Sequence, residues 1–146
     1  MAKTYLLGSI GLPGSGKSTF LKRFASEQKF FYWQNDEARR HIFAHPDHTP
    51  AEHDILGHCA KYVFSQLLPL GLSCIYDVNL NRHRNRQALG LLGLSHGAEF
   101  RALWFQVPIE ISRRRVKARG ESADGEQKAY YDTFRPDLVD YMAKRL

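Results

Sequence analysis

A chain of 146 residues, 43% hydrophobic and 25% charged, carries the apolar content of one globular domain with a real core. No stretch has the apolar length needed to cross a bilayer, so a membrane-spanning role is excluded from the expected functions. The net charge of +6, from 21 Lys and Arg against 15 Asp and Glu, suits a nucleotide, a nucleic acid or a phosphorylated metabolite without choosing among them.

The N-terminus runs straight into Tyr5 to Ile10, a short apolar segment that reads as a buried strand and shows no secretory pattern. Lys17 to Gln28 carries Phe20, Leu21, Phe24 and Ala25 as a helical stripe. Phe30 to Trp33 is the next strand, and Asp36-Glu37 opens a helix. Thr49-Pro50-Ala51-Glu52 is a helix start: threonine as cap, proline at the first helical position, glutamate completing a capping box. The helix that follows has two apolar rows, Ile55, Cys59, Val63 and Leu67 beside Leu56, Ala60, Phe64 and Leu68, a stripe wide enough to pack on a sheet. Gly71 closes it, and Leu72 to Tyr76 forms a strand ending in Asp77. Arg82 to His96 reads as a helix and Phe100 to Val107 as a strand. Pro108 opens a basic helix ending near Gly120, Glu121 to Gly125 reads as a loop, and Pro136 begins a final helix. Strands alternating with helices imply an α/β, doubly wound P-loop fold: a parallel sheet of four to five strands, covered on both faces, with a short helical lid. We expect a single domain over residues 1–146, its lid at about 109–125.

Gly11-Leu-Pro-Gly14-Ser15-Gly16-Lys17-Ser18-Thr19 matches the full P-loop pattern, after a strand and opening a helix. Gly14, Ser15 and Gly16 let backbone N–H groups converge on a phosphate, and the helix N-terminus adds its partial positive charge. Lys17 is expected on the β- and γ-phosphates, Ser18 on Mg²⁺ and Thr19 on the α-phosphate. The expected cofactors are therefore ATP and Mg²⁺. The loop fixes nucleotide binding but not the reaction. No Asn-Lys-x-Asp run is present to read guanine, which disfavours a Ras-like GTPase.

Three further groups bear on the reaction. Asp36 follows a strand, where ligands collect in an open parallel sheet; it is either a base for an acceptor hydroxyl or a helix cap. Asp77 ends a Walker B-like strand and is expected near Mg²⁺, with a strand-end turn as the bland alternative. Arg113, Arg114, Arg115, Lys117 and Arg119 share one helix, and Arg115 and Arg119 lie four apart on one face. That pair reads as a lid over the transferring phosphoryl group, whereas Arg113 and Arg114 read as a solvated basic face. His41, His45, His48, His53 and His58 crowd together but align as no metal motif. Cys59 and Cys74 lack metal spacing and read as reduced thiols, so a cytoplasmic location is expected. Phe30, Phe31, Tyr32 and Trp33 are either core or a stacking platform for a single strand.

The phosphate loop, Asn35-Asp36-Glu37-Ala-Arg39, Asp77-Val-Asn79-Leu-Asn81 and Arg115-Val-Lys-Ala-Arg119-Gly120 together resemble the polynucleotide-kinase-like family of small P-loop kinases, with its AAA-type and zeta-toxin-like relatives. The resemblance covers nearly the whole chain. It implies Asp36 as general base, Arg39 as a contact to an acceptor phosphate, and Arg115 and Arg119 as lid residues on ATP. It also implies that Asn79 and Arg84 support the acceptor pocket. Without an expected phosphatase domain, end-healing of both termini is not implied, and since related members phosphorylate small molecules the expected acceptor is either a polynucleotide 5′-hydroxyl or a small molecule. The expectation is an ATP- and Mg²⁺-dependent kinase with no stable protein partner evident. A non-catalytic ATP sensor and a plain ATPase are the rivals.

Overall fold

In the computed structural model, which describes residues 2–122 and 136–143, strands and helices alternate along the chain. Strands β1 (Tyr5–Gly11), β2 (Phe31–Gln34), β3 (Cys74–Asn79) and β4 (Glu99–Phe105) form one parallel sheet in the order β2-β3-β1-β4. The helices are α1 (Lys17–Gln28), α2 (Asn35–Ile42), α3 (Pro50–Leu67), α4 (His83–Ser95), α5 (Ile109–Ser122) and α6 (Pro136–Ala143).

Alternation along the strands divides the core between the two faces of the sheet. Leu6, Cys74 and Tyr76 pack with Ala60 and Phe64 of α3 and Leu89 of α4. Their neighbours Leu7 and Ile75 face the other way, onto Leu21 and Ala25 of α1. Of the two apolar rows on α3, the one holding Leu56, Ala60 and Phe64 is fully buried, while Ile55 in the other stays 46% exposed. The aromatic run Phe30 to Trp33 is core on both faces, Phe31 and Trp33 against the α3–α4 side and Phe30 and Tyr32 against the α1 side. All four rings are partly buried, which accords with the core reading of the run.

Several boundaries differ from expectation: β2, β4 and α4 shift by one or two residues, and the larger changes are at β3 and α5. β3 starts at Cys74, because a 3₁₀ turn (Leu68–Leu70) and Gly71 at φ 80° leave Leu72 at the surface. The strand then runs on through Asp77, which pairs in register with Gln34, so Asp77 is a strand residue and not a turn former. Helix α5 continues past Gly120 to Ser122, where a loop was expected from Glu121. Glu121 there lies 3.9 Å from Lys117 one turn back, a spacing that favours the extra turn. The remainder of that expected loop, residues 123–125, lies outside the described residues. Val139 of α6 packs with Val116 of α5 and Leu12, and Arg113 pairs with Asp140, so Arg113 joins two helices instead of facing solvent alone.

Candidate active site

The connection from β1 to α1 is shaped by two left-handed glycines, Gly14 at φ 77° and Gly16 at φ 88°. A Cβ at Gly14 would meet the Ser112 carbonyl oxygen at 2.9 Å, so helix α5 seats against bare backbone there. No side chain caps α1, and its N-terminal amides keep their capacity for an anion. Lys17 folds back over the loop, Nζ donating to the carbonyls of Leu12 at 2.8 Å and Gly11 at 3.0 Å. Burial lowers the Lys17 pKa to about 8; Asp77 opposes that shift and Arg119 adds to it. An ammonium held on neutral carbonyls gains when a phosphate oxygen replaces them.

Beneath the loop, β2 supplies two side chains that aim the expected metal ligands. The Tyr32 hydroxyl donates to Asp77 Oδ2 at 2.5 Å, and Gln34 Nε2 donates to Ser18 Oγ at 3.4 Å. Burial foremost, and then the Asp77 carboxylate, raise the Tyr32 pKa, which keeps its proton in place as a donor. Asp77 itself is buried. A neutral hydroxyl and one carboxylate are hard oxygen donors of the kind Mg²⁺ takes while keeping water and phosphate in its other positions. Ser18 and Asp77 therefore fit that ion. Among the described residues no cluster of three or more His, Cys, Asp or Glu offers a cage for a softer metal.

A cavity of about 800 Å³ opens beside the loop, lined by Gly14, Lys17 and Ser18 of the phosphate loop together with Asp36 of α2, His48, and His53 of α3. Asp36 does not cap α2. Gln34 occupies the cap position without a side-chain cap bond, and Asp36 sits in the first turn, paired with Arg39 three residues on. Its side chain keeps 43% exposure and faces the cavity. Asn35 fixes the junction: its buried Oδ1 accepts from Trp33 Nε1 at 3.0 Å and from the Tyr76 hydroxyl at 3.4 Å.

The remaining expected residues divide. Asn79 lines the cavity, accepting from the Asn81 amide at 3.1 Å. Arg119 also lines it, on the side of Lys17. Arg115 does not; its Nη1 donates to the Gly14 carbonyl at 3.1 Å, so it ties α5 to the phosphate loop. Arg84 is exposed on α4 and is not among the lining residues. Two positions on, Arg86 turns inward and Nη1 donates to the carbonyls of Leu80 at 2.7 Å and Asn81 at 2.8 Å. Arg39 borders the cavity and is only 4% exposed, with the carboxylates of Asp36 and Glu52 as partners.

Sequence reading missed Tyr32, Asn81 and Glu52. Buried Asn81 accepts from the Gly11 amide at 3.1 Å and so pins the start of the phosphate loop to the end of β3. Its signal was present in the run from Asp77 to Asn81. Nothing in a local window tells Tyr32 from its aromatic neighbours.

The profile of the AAA domain family matches residues 6–135. No curated protein matches significantly in sequence. Among solved structures, a chain of the Pnkp1/Rnl/Hen1 RNA repair complex is similar over 100% of this chain, at 21% identity and a TM-score of 0.72. This chain spans only 47% of that one. A gluconokinase from Sinorhizobium meliloti is similar over 99% of this chain and 74% of its own, at 11% identity and a TM-score of 0.59. The AvrRxo1-ORF1:-ORF2 structure with ATP is similar over 86% of this chain and 43% of its own, at 15% identity and a TM-score of 0.57. At these identities the likeness speaks for the fold. With its P-loop, its four-stranded parallel sheet among the described residues and a family match over most of its length, the chain has the P-loop NTPase fold and belongs to the AAA domain family.

Proposed function

We propose that this chain is a kinase that moves the γ-phosphoryl group of ATP to a hydroxyl on a nucleic-acid end or a small molecule. The observation that supports the reading is that one cavity is lined both by the phosphate loop and by Asp36. A plain ATPase would use Asp36 on water or not at all, so transfer to an acceptor hydroxyl that depends on Asp36 separates the two readings.

In this reading the acceptor oxygen attacks the γ-phosphorus, the bond to the β-bridging oxygen breaks, and ADP leaves. Asp36 accepts the hydroxyl proton. Lys17 and the loop amides hold the triphosphate, and Arg119 faces the charge that spreads onto the γ-phosphoryl oxygens. Ser18 and Asp77 would hold Mg²⁺, which when bound neutralises charge on the β- and γ-oxygens. Arg115 acts through the loop it ties down, and Asn79 belongs to the acceptor wall. Two unpaired cysteines, Cys59 and buried Cys74, support a reducing, cytoplasmic setting.

Asp36→Asn tests the assignment. It should keep wild-type ATP affinity and lose transfer by on the order of 100-fold or more, the scale of a general base. The assay is transfer from γ-labelled ATP across 5′-hydroxyl oligonucleotides, nucleosides, sugars and antibiotics. Undiminished single-turnover transfer by the variant would remove Asp36 from the base role. Tight ATP binding with no transfer to any acceptor would favour the sensor.

A further inference from the structure

The acceptor wall contains a chain of charge that the reading above does not use. Arg39 on α2 is almost fully buried and meets two carboxylates from different elements, Asp36 one turn earlier on α2 and Glu52 on α3. Its Nε stands 3.2 Å from Glu52 Oε2, close enough for an ion pair but not aligned as a hydrogen bond. Glu52 is itself anchored. Oε1 accepts from the Asp47 amide at 2.8 Å and Oε2 from the His48 amide at 3.0 Å. Those hydrogen bonds, the Asp47 amide foremost, hold the Glu52 carboxyl below its ordinary pKa, so it stays an anion beside Arg39.

The order of burial shows the direction of the chain. Glu52 and Arg39 have side chains 9% and 5% exposed, and Asp36 is 43% exposed at the cavity. A buried guanidinium costs free energy unless its charge is met, and here it is met on one side by a fixed anion and on the other by the proposed base. Moving Arg39 away would leave Glu52 with only its two backbone amides as partners and no opposite charge beside it.

We infer that Glu52 is a positioning residue for phosphoryl transfer: it fixes Arg39, and Arg39 fixes the rotamer of Asp36 toward the acceptor. The inference rests on the base role of Asp36 given above. The same glutamate sets the backbone at Asp47 and His48, and His48 lines the cavity, so one residue aligns both the base and the wall it faces.

The test has an arm that needs no acceptor. Three-bond couplings to the Asp36 Cγ report its χ1 angle by NMR. They should show one rotamer in the native protein and averaging in Glu52→Gln, with ATP affinity unchanged in both. An Asp36 rotamer as fixed in Glu52→Gln as in the native chain would overturn the inference. The kinetic arm uses γ-labelled ATP and a 5′-hydroxyl oligonucleotide. Glu52→Gln should lower kcat by up to about 100-fold with the KM for ATP unmoved, the cost of a misplaced reacting group. Arg39→Lys should retain more kcat than Arg39→Ala, and adding Glu52→Gln to Asp36→Asn should cost nothing further. A Glu52→Gln loss that persists undiminished in the Asp36→Asn background, or one confined to thermal stability, would make Glu52 mere scaffold. Full transfer by Asp36→Asn alone would instead sink the base reading, and the positioning role with it. If the oligonucleotide accepts no phosphate from the native protein, the choice of acceptor is wrong, and the rotamer arm still decides the role of Glu52.

Discussion

The two walls of the cavity are built by different physics. The phosphate wall is mostly backbone: glycines at positive φ, uncapped amides and carbonyls, with Lys17 resting on two of those carbonyls. Its parts come from nine consecutive residues. The acceptor wall is mostly side chain, assembled from α2, α3 and the turn between them by ion pairs across elements. A backbone cradle recognises one chemical group, phosphate, and has little freedom to vary. A side-chain wall is adjusted by single substitutions, so acceptor choice belongs on that side.

Breaking the phosphate wall should have the largest effect. Lys17→Ala removes a charge-assisted contact worth about 1.5–3 kcal/mol, so ATP affinity should fall about 10- to 100-fold by calorimetry, with the fold intact. Gly14→Val attacks the backbone itself. It must place a β-branched side chain at φ 77° and push against the Ser112 carbonyl, so it should match or exceed the Lys17 effect and loosen α5 as well. If Gly14→Val bound ATP at native strength, the tight seat of α5 on the loop would not be part of the nucleotide site.

That asymmetry also explains what the sequence revealed. The phosphate loop, α1 from Lys17 to Gln28 and the Thr49-Pro50 helix start are set by local rules, and the structure places all three as expected. The four strands emerged in order, with ends misjudged where a neighbour decides them, as at Asp77, which stays in β3 because Gln34 pairs with it. The lid helix was legible but not the division within it. Arg115 reaches the Gly14 carbonyl while Arg119 reaches the cavity, a difference that depends on how α5 docks. Least legible was Arg39. The family resemblance implied an acceptor contact, and its pairing with Glu52, thirteen positions away, cannot be seen without the packing of α2 on α3.

A smaller effect separates the walls by pH. Lys17 has a pKa near 8 in the ligand-free protein, and a bound triphosphate raises it, since anionic oxygens replace neutral carbonyls. The complex then binds more protons than the free protein above that value. ATP affinity should therefore be level below pH 8 and weaken as pH rises through 8 toward 10, and Lys17→Ala should abolish that slope. Glu52→Gln, on the acceptor wall, should leave the slope unchanged. A native affinity that stays level from pH 7 to 10 would show that Lys17 gains no charged partner from the nucleotide.

The smallest effect concerns the acceptor wall as a folded object. Thr49 Oγ1 accepts from the Glu52 amide at 3.3 Å, while the Glu52 carboxylate reaches back to the Asp47 and His48 amides. This is a displaced capping box, with the glutamate bonding residues before the cap and not the cap itself. Thr49→Ala removes one of these bonds and should cost about 1 kcal/mol, a fall in Tm of roughly 3 °C for a domain of this size. ATP affinity should not move, because the hydrogen bond that is lost lies within the acceptor wall. Should Thr49→Ala weaken ATP binding as much as it lowers Tm, the two walls would be one cooperative unit, and acceptor choice could not be tuned without disturbing the phosphate grip.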